Sequence, residues 1–354
     1  MQITHQFKNT KIIKKVDENV GLILGNDMGD YFYMTDEEET RYQGFFYADG
    51  ESKKNELLVY KIIDKINILE TSELAEIKNS FFDVSKNYKN GLTEKYFLPN
   101  GHDSLCLKTN RKVKAEIILD VRHPYDNRQM GRFYEIKLNK EYALIKYTKR
   151  RDWQEDGLGD KKEFTLYIAI KTDIGNYNKI GDFFSKYYGK DNRRNSLPCD
   201  RFVYKALKIE FNEAVFSVAK TPDKAIEEVN KVYKNFDKLY EKGVDNIHKK
   251  LKFPKISDEE IKMAYLCAQN SIYTLLVENN SKNGAYAGLP WFFQFWSRDE
   301  AISLLEINKL NEKLAKKIIN AQLESISIDG QIPKQRSFNQ CNNALKSADT
   351  LVWL

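Results

Sequence analysis

The chain has 354 residues, 42% of them hydrophobic, which is enough for two domains with real cores. Its formal net charge is +6, and the basic residues are interspersed with acids rather than gathered in one arm, which argues against nucleic-acid binding. No run of about 18 uninterrupted apolar residues occurs, and the opening "MQITHQFKNTKIIKK" lacks an apolar core of signal-peptide length. Neither a membrane span nor export is expected, and the expected location is cytoplasmic.

Residues 1–220 read as strands. "NVGLILGN", "DYFYMT", "GFFYAD", "NELLVYKII", "AEIILDV", "RFYEIKL", "YALIKYT", "EFTLYIAIKT" and "FVYKALKIEF" are short, mostly rich in β-branched or aromatic residues, and punctuated by Gly, Asn and Asp. Nine such runs with little helical periodicity between them predict an antiparallel β-sandwich. "NYKNGLTEK" and "KDNRRNSLP" read as connecting loops, and "KIGDFFSKYYGKDNRR" as a place for a short helix.

The period changes near Thr221. A Thr cap and Pro222 open a segment in which Ile226, Val229, Tyr233, Phe236, Tyr240, Val244, Ile247 and Leu251 recur at three- and four-residue steps. This predicts one long linker helix over 221–254, with Gly243 as the place where it bends or breaks. Residues 255–354 then read as helical. A capping box of Ser257 and Glu260 opens a helix whose inward stripe is Ile261, Ala264, Tyr265, Ala268, Ile272 and Leu275. A third helix begins near Arg298 with Ala301, Leu304 and Leu305 inward. A fourth spans about 311–326, and a fifth starts near Ser347. Long loops, about 279–297 and 328–346, lead into the third and fifth helices. Acids at those starts, Asp299 and Asp349, gain from the helix dipole.

The four cysteines, Cys106, Cys199, Cys267 and Cys341, form no CxxC pair and read as buried free thiols in a reducing compartment. His5, His102, His123 and His248 are scattered in unlike contexts, which disfavours a metal site. There is no Gly-rich phosphate loop and no G-x-S-x-G elbow, which disfavours nucleotide-driven and serine-nucleophile chemistry. No cofactor is expected.

One stretch carries chemistry. "GLPWFFQFWSRDE" sets five rings into the six positions Trp291 to Trp296, directly followed by Arg298, Asp299 and Glu300. A sugar has apolar CH faces and a hydroxyl rim, so its site needs flat rings for stacking and charged or amide groups for the hydroxyls. The competing reading makes the rings core residues at a domain junction and Arg298–Asp299 an ordinary cap-region ion pair. The second long loop, "SIDGQIPKQRSF" followed by "NNALKSADTLVWL", repeats the pattern with Asp349 and Trp353 at a helix start, which favours the saccharide reading.

"GLPWFFQFWSRDEAISLL" resembles the "PWF…WGRD" segment of the glycogen-debranching enzyme family, the amylo-α-1,6-glucosidase domain and its archaeal and bacterial relatives. "DGQIPKQ…ADTLVWL" resembles that family's "DGLIPN…ADASLWF". "GLILGNDMGDYFYMTDEEETRYQGFFY" resembles its "LLTNGLGGYASGT…NTRRYHGLL", with Thr40, Arg41, Tyr42 and Gly44 aligned, and "LDVRHPYDNRQ" is a weaker echo of a following strand pair. The resemblance covers both halves of the chain in the family's order. It implies an N-terminal β-sandwich, a linker helix and an (α/α)6 toroid with an exo-acting, inverting glucosidase pocket that needs no cofactor. By the match, Arg298 and Asp299 hold hydroxyls of a terminal glucose, Trp291 and Trp296 wall the pocket, and Asp349 helps to line it.

The chain departs from the family at Ser297, where Gly is common, at Glu300, where Thr is common, and at Gln43, where His is usual. It also offers about four helices after the linker, so an incomplete toroid over 255–354 is expected. The family's general acid and base lie beyond these motifs, so Asp299, Glu300 and Asp349 read as substrate-binding, the catalytic residues stay unassigned, and activity of this chain alone stays open. A partial ring exposes apolar helix faces, which predicts either aggregation or a second chain that supplies the rest, as a split or frameshifted gene or a truncated chain would produce. The expected partner is an α-glucan or maltooligosaccharide. The alternative is a non-catalytic glucan-binding subunit or an inactive fragment whose catalytic part is on another chain.

Overall fold

The β-branched and aromatic runs pair into one continuous arrangement of fifteen strands in the computed structural model, which describes residues 1–16, 20–36, 38–50, 57–151, 153–155, 163–279, 282–336, 346–347 and 350. The strands are β1 (Gln2–Phe7), β2 (Thr10–Lys15), β3 (Gly21–Gly25), β4 (Tyr31–Thr35), β5 (Gly44–Asp49), β6 (Leu58–Ile68), β7 (Leu74–Asn79), β8 (Asp83–Tyr88), β9 (Thr93–Phe97), β10 (Ser104–Arg122), β11 (Arg132–Leu138), β12 (Ala143–Lys149), β13 (Phe164–Thr172), β14 (Asn176–Tyr187) and β15 (Asp200–Ala219). One layer runs β11-β12-β13-β15-β10-β9-β8-β7-β1-β2, and the other contains β14, β15, β10, β6, β5, β4 and β3. The long strands β10 and β15 belong to both. Cys106 to Thr109 pair with β9, whereas Ala115 to Arg122 pair with β6. A register shift between Lys108 and Val113 marks the passage from one layer to the other. The pairs are antiparallel except β1 with β7.

A period of two sorts the side chains into three cores. Leu105, Leu107, Ala143, Ile145, Leu166, Ile168, Phe45 and Tyr47 fill the space between the layers. Their neighbours Cys106, Leu144, Ala169 and Val215 face the other way, into a second core under the helices that follow. Tyr31, Phe46, Ala48 and Val59 face outward from the other layer and meet a third core. The central strands of both layers are therefore covered on both sides, which explains β4, β5 and the two ends of β10, where no exposed residue alternates, while β2, β11 and β14 keep exposed faces. The predicted runs became strands, while β1, β2, β7, β8 and β9 were missed because they carry many Lys, Asn, Gln and Ser residues. The "KIGDFFSKYYGKDNRR" segment begins in the edge strand β14 and holds the expected short helix at its end, the five-residue α1 (Gly189–Arg193).

The linker forms two helices rather than one: α2 (Pro222–Lys234) and α3 (Phe236–Lys250). The Thr221 hydroxyl caps α2 as expected by accepting from the Lys224 N–H. The break falls at Asn235, not at Gly243. Asn235 ends α2 and opens α3, and its side-chain amide donates to the Lys231 carbonyl at 2.8 Å. Gly243 instead packs on Phe82, so closely that a Cβ there would lie 2.0 Å from that ring.

Helix α4 (Glu259–Leu275) is capped by Asp258, whose carboxylate accepts from the N–H groups of Glu260 and Ile261, so the predicted Ser257–Glu260 box does not form. Its buried residues are Met263 and Leu266, while Ile261, Ala264, Tyr265 and Ala268 are exposed, which reverses the expected stripe. A hairpin of β16 (Leu276–Asn279) and β17 (Lys282–Ala285) occupies the start of a stretch expected to be loop. Helices α5 (Ser297–Leu310) and α6 (Glu312–Glu324) follow where expected, with Ala301 and Leu304 buried, but Ile307 takes the inward place assigned to Leu305, which is 78% exposed. Lys346–Ser347 pairs with Ile332–Pro333 as a short strand, and most of the fifth helix lies outside the described residues. Among the described residues no helix is long and apolar enough to cross a membrane.

Candidate functional site

Residues 288–296 form a small reversed loop. Gly288 and Phe292 exchange backbone hydrogen bonds of 3.0 and 2.7 Å, and the Ala287 N–H donates to the Gln294 carbonyl at 3.0 Å. Residues 289–291 make the turn, and the side chains of the segment part by burial. Phe293 and Phe295 are buried in the third core against Tyr31, Phe46 and Val59. Phe292 is 52% exposed, and Trp291 and Trp296 are half-buried. The core reading therefore holds for two of the five rings, Phe293 and Phe295, while Phe292, Trp291 and Trp296 keep part of their surface outside the core, along an edge called here the ledge.

The ledge is stitched together by polar contacts. The Tyr125 hydroxyl donates to the Trp291 carbonyl, and the buried Gln294 side chain bonds both Tyr125 and the Trp296 indole N–H, the latter at 3.4 Å. Phe292 meets Trp296 edge-on, with ring centroids 6.5 Å apart. Arg194 lies over the Trp291 ring at 4.0 Å, and Lys334 over the Trp296 ring at 5.1 Å.

Arg298 and Asp299 occupy the first turn of α5, Arg298 exposed and Asp299 half-buried, where the helix N-terminus favours an acid. Glu300 turns inward and is wholly committed. It accepts from Arg336 through both carboxylate oxygens at 2.6–2.8 Å, from Gln322, and from the Ala285 N–H at 2.9 Å. Burial pushes its carboxyl above the usual range, and Arg336 offsets part of that. Glu300 therefore joins α5, α6, β17 and the 333–336 segment, and is not placed to bind substrate. Ser297, the departure from the family's Gly, is buried and donates to the Pro333 carbonyl at 2.6 Å. Asp349 lies outside the described residues. Trp291 and Trp296 are linked through Tyr125 and Gln294, and Arg298 and Asp299 follow Trp296 in the chain.

Sequence reading assigned no role to Tyr125, Arg194 or Gln294. Tyr125 and Arg194 come from the sandwich, on loops held by buried charge. Thr40 and Arg41 donate to Asp191 through the Thr40 hydroxyl and the Arg41 N–H, and the Arg41 guanidinium donates to Pro198, Ser196 and Tyr42 at 2.8–3.1 Å. This fixes the loop that carries Arg194. Beneath the Tyr125 loop, Asp120 accepts from Arg122, Arg132 and Arg201, all buried. Burial would raise the Asp120 carboxyl, but Arg122, Arg132, Lys61 and Arg201 outweigh it and hold it far below the ordinary carboxylate range. The only hint in the sequence was the density of Asp and Arg between residues 120 and 132 beside the family-like "TRYQG".

Among the described residues, clefts of about 290, 190 and 240 Å³ lie on the sandwich and its linker helices, and residues 288–300 line none of these three. Among the described residues no group of three or more His, Cys, Asp or Glu could hold a metal ion.

No protein-family model matches the sequence, and no curated protein matches it. Among solved structures, a bacterial glucoamylase complexed with acarbose superposes with a TM-score of 0.47 at 12% identity, covering 95% of this chain and 55% of that one. The family GH92 inverting mannosidase of Bacteroides thetaiotaomicron gives a TM-score of 0.36 at 12% identity, covering 70% of this chain and 36% of that one. The chain thus spans about half the length, or less, of these neighbours. Neither likeness reaches the level at which a shared fold or activity follows from it.

Proposed function

We propose that the chain is a glycoside-hydrolase-type protein that acts on α-glucan ends, debranching or glucoamylase-like, and that residues 291–299 form its saccharide-binding ledge. One observation carries this reading: the core takes only Phe293 and Phe295 of the aromatic segment, and the exposed or half-buried rings that remain, Trp291, Phe292 and Trp296, precede an exposed Arg and a half-buried Asp at a helix start. Trp291 and Trp296 offer faces to sugar rings, Arg298 and Asp299 take hydroxyls, and Asp349 joins them. The family-like motifs in both halves of the chain support the same assignment.

Inverting hydrolysis requires a carboxylic acid and a carboxylate about 6.5–9.5 Å apart, on opposite sides of the bond that breaks. Asp299 is a hydroxyl ligand in this reading, and Glu300 is tied to Arg336. The acid–base pair is therefore supplied by other residues. Exposed Ile261 and Tyr265 on α4, and Ile302 and Leu305 on α5, support a second body that covers these helices and completes an (α/α)6 toroid. In the second reading, favoured by the same exposed face, the chain binds glucan and a partner cleaves it.

The test is a thermal-shift titration with maltohexaose, together with hydrolysis assays on glycogen and panose. Asp299→Ala is expected to abolish ligand protection while leaving the ligand-free midpoint unchanged. A mutant that melts much lower without ligand would make Asp299 structural and sink the assignment. Turnover by the purified chain supports the enzyme reading, and protection without turnover supports the binding subunit.

A further inference from the structure

The ledge rings are carried by the helical half, yet the group nearest the Trp291 face belongs to the sandwich. Arg194 ends the short helix α1 on the β14–β15 connection, 97 residues before Trp291, and its guanidinium lies 4.0 Å from the indole centroid. That connection is not a loose loop. Asp191 receives Thr40 and Arg41, and Arg41 grips Ser196 and Pro198, so the segment on either side of Arg194 is anchored to buried groups. From the other side, Tyr125 fixes the Trp291 carbonyl. Backbone and ring of Trp291 are thus both held by sandwich residues.

An indole on an open edge turns about two side-chain bonds. Stacking on a sugar depends on which way the ring faces, so a turning ring loses affinity to ordering. A guanidinium over one face stops that motion and occupies that face only, leaving the opposite face for a ligand. We propose that Arg194 is a positioning residue: it orients Trp291 as a stacking platform, so that the sandwich sets the saccharide affinity of a site borne by the helical half. This rests on the saccharide reading above. Lys334 stands in the same relation to Trp296, from a segment zipped to residues 295–297 by the Ser297 N–H to Lys334 carbonyl and Arg336 N–H to Phe295 carbonyl bonds. Trp153 provides the contrast, since its cation is Arg151, two residues away on an exposed turn and remote from the ledge segment in sequence.

The experiment labels the protein with 5-fluorotryptophan, assigns the four tryptophan resonances by single Trp→Phe changes, and measures maltohexaose affinity on the same samples. Arg194→Ala is expected to shift or broaden the Trp291 resonance without ligand and to weaken maltohexaose binding on the order of three- to tenfold. The melting midpoint stays within error of the parent, because Arg194 is exposed. Arg194→Lys, which keeps the charge, recovers part of both effects. Arg151→Ala alters the Trp153 resonance and leaves affinity unchanged. An unchanged Trp291 resonance in Arg194→Ala, or a changed resonance with parental affinity, overturns the proposal. If the parent binds no maltohexaose, the saccharide reading falls by itself, and the Trp291 resonance alone decides whether Arg194 holds the ring.

Discussion

Replacing Arg336 by Met isolates the charge that organises the start of α5. Glu300 is fully buried and Arg336 nearly so, with the Arg336 side chain 9% exposed. Their contact is bidentate, and removing the cation leaves a carboxylate in the interior with only Gln322 and the Ala285 N–H. Breaking a buried pair from one side costs about 3–5 kcal/mol. The cost should depend on pH in a definite direction. Burial already pushes the Glu300 carboxyl above its usual range, and loss of Arg336 pushes it further. A carboxyl raised in the folded state destabilises only where it is ionised. The penalty is therefore absent below the ordinary carboxylate range, grows as pH rises through the shifted value, and is complete above it. Urea unfolding of Arg336→Met from pH 4.5 to 8 should show the deficit widening upward, to about 3–5 kcal/mol at pH 8. Glu300→Gln combined with Arg336→Met removes both charges and should be milder than Arg336→Met alone at pH 8. A deficit below about 1 kcal/mol at pH 8, or a double variant worse than the single one, would refute the assignment of Glu300 as a buried ionised hub.

Phe293→Ala should cost about 3–5 kcal/mol in chemical unfolding, because its ring seals the third core, while Phe292→Ala on the open edge should stay within about 0.5 kcal/mol. Equal costs would mean that burial does not separate core rings from ledge rings. Gly243→Ala should destabilise by about 1–3 kcal/mol despite the better helix propensity of Ala, since the added methyl drives into the Phe82 ring; a neutral or stabilising result would show that Phe82 yields freely. Lys149 is pushed down to about 8, first by burial and then by Arg128, Arg132 and Arg122, with Asp126 opposing. Its folded-state penalty is full below that value and fades as pH rises toward the ordinary lysine range. Lys149→Met should therefore raise the melting midpoint at pH 7, with the gap to the parent closing above pH 8; a gap that does not change with pH would remove charge burial as its cause.

Strands with β-branched and aromatic residues on both faces, such as β4 and β5, were legible because both of their faces are buried. Polar strands such as β8, "DVSKNY", were not, because their stability comes from register with β7 and β9 rather than from their own pattern. The helix stripes were legible where a helix has one neighbour on one side, as in α2. In α4 the sequence carries apolar residues on two faces. Only the fold decides that Met263 and Leu266 go inward, while Ile261 and Tyr265 remain outside. At the ledge, the tryptophans and the Arg298–Asp299 pair could be named from local chemistry. Tyr125 and Arg194 could not, because nothing within ten residues of either one signals a ring that joins it from far along the chain.

The buried charges of the sandwich then acquire a reason. A buried ion pair is seldom the most stable filling for a core, since apolar residues of like volume often serve as well or better. Asp120 with three arginines, and Asp64 with Lys61, Lys186 and the Tyr188 hydroxyl, are poor choices if stability alone is at stake. What such groups do well is to fix loop backbone through directional bonds. Arg122 donates to the carbonyls of Asp126 and Arg128, Arg201 to that of Pro124, and Arg41 to that of Pro198. Each of these carbonyls lies on one of the two loops that reach the aromatic segment. The third core, the Tyr286 hydroxyl on the Gly29 carbonyl, and the Asn279 amide on the carbonyls of Met28 and Ala48 hold the helical half against the same layer. The ledge is thus built at a junction joined by a shared core and directional hydrogen bonds, and the ionic interior of the sandwich holds the loops that meet the tryptophans.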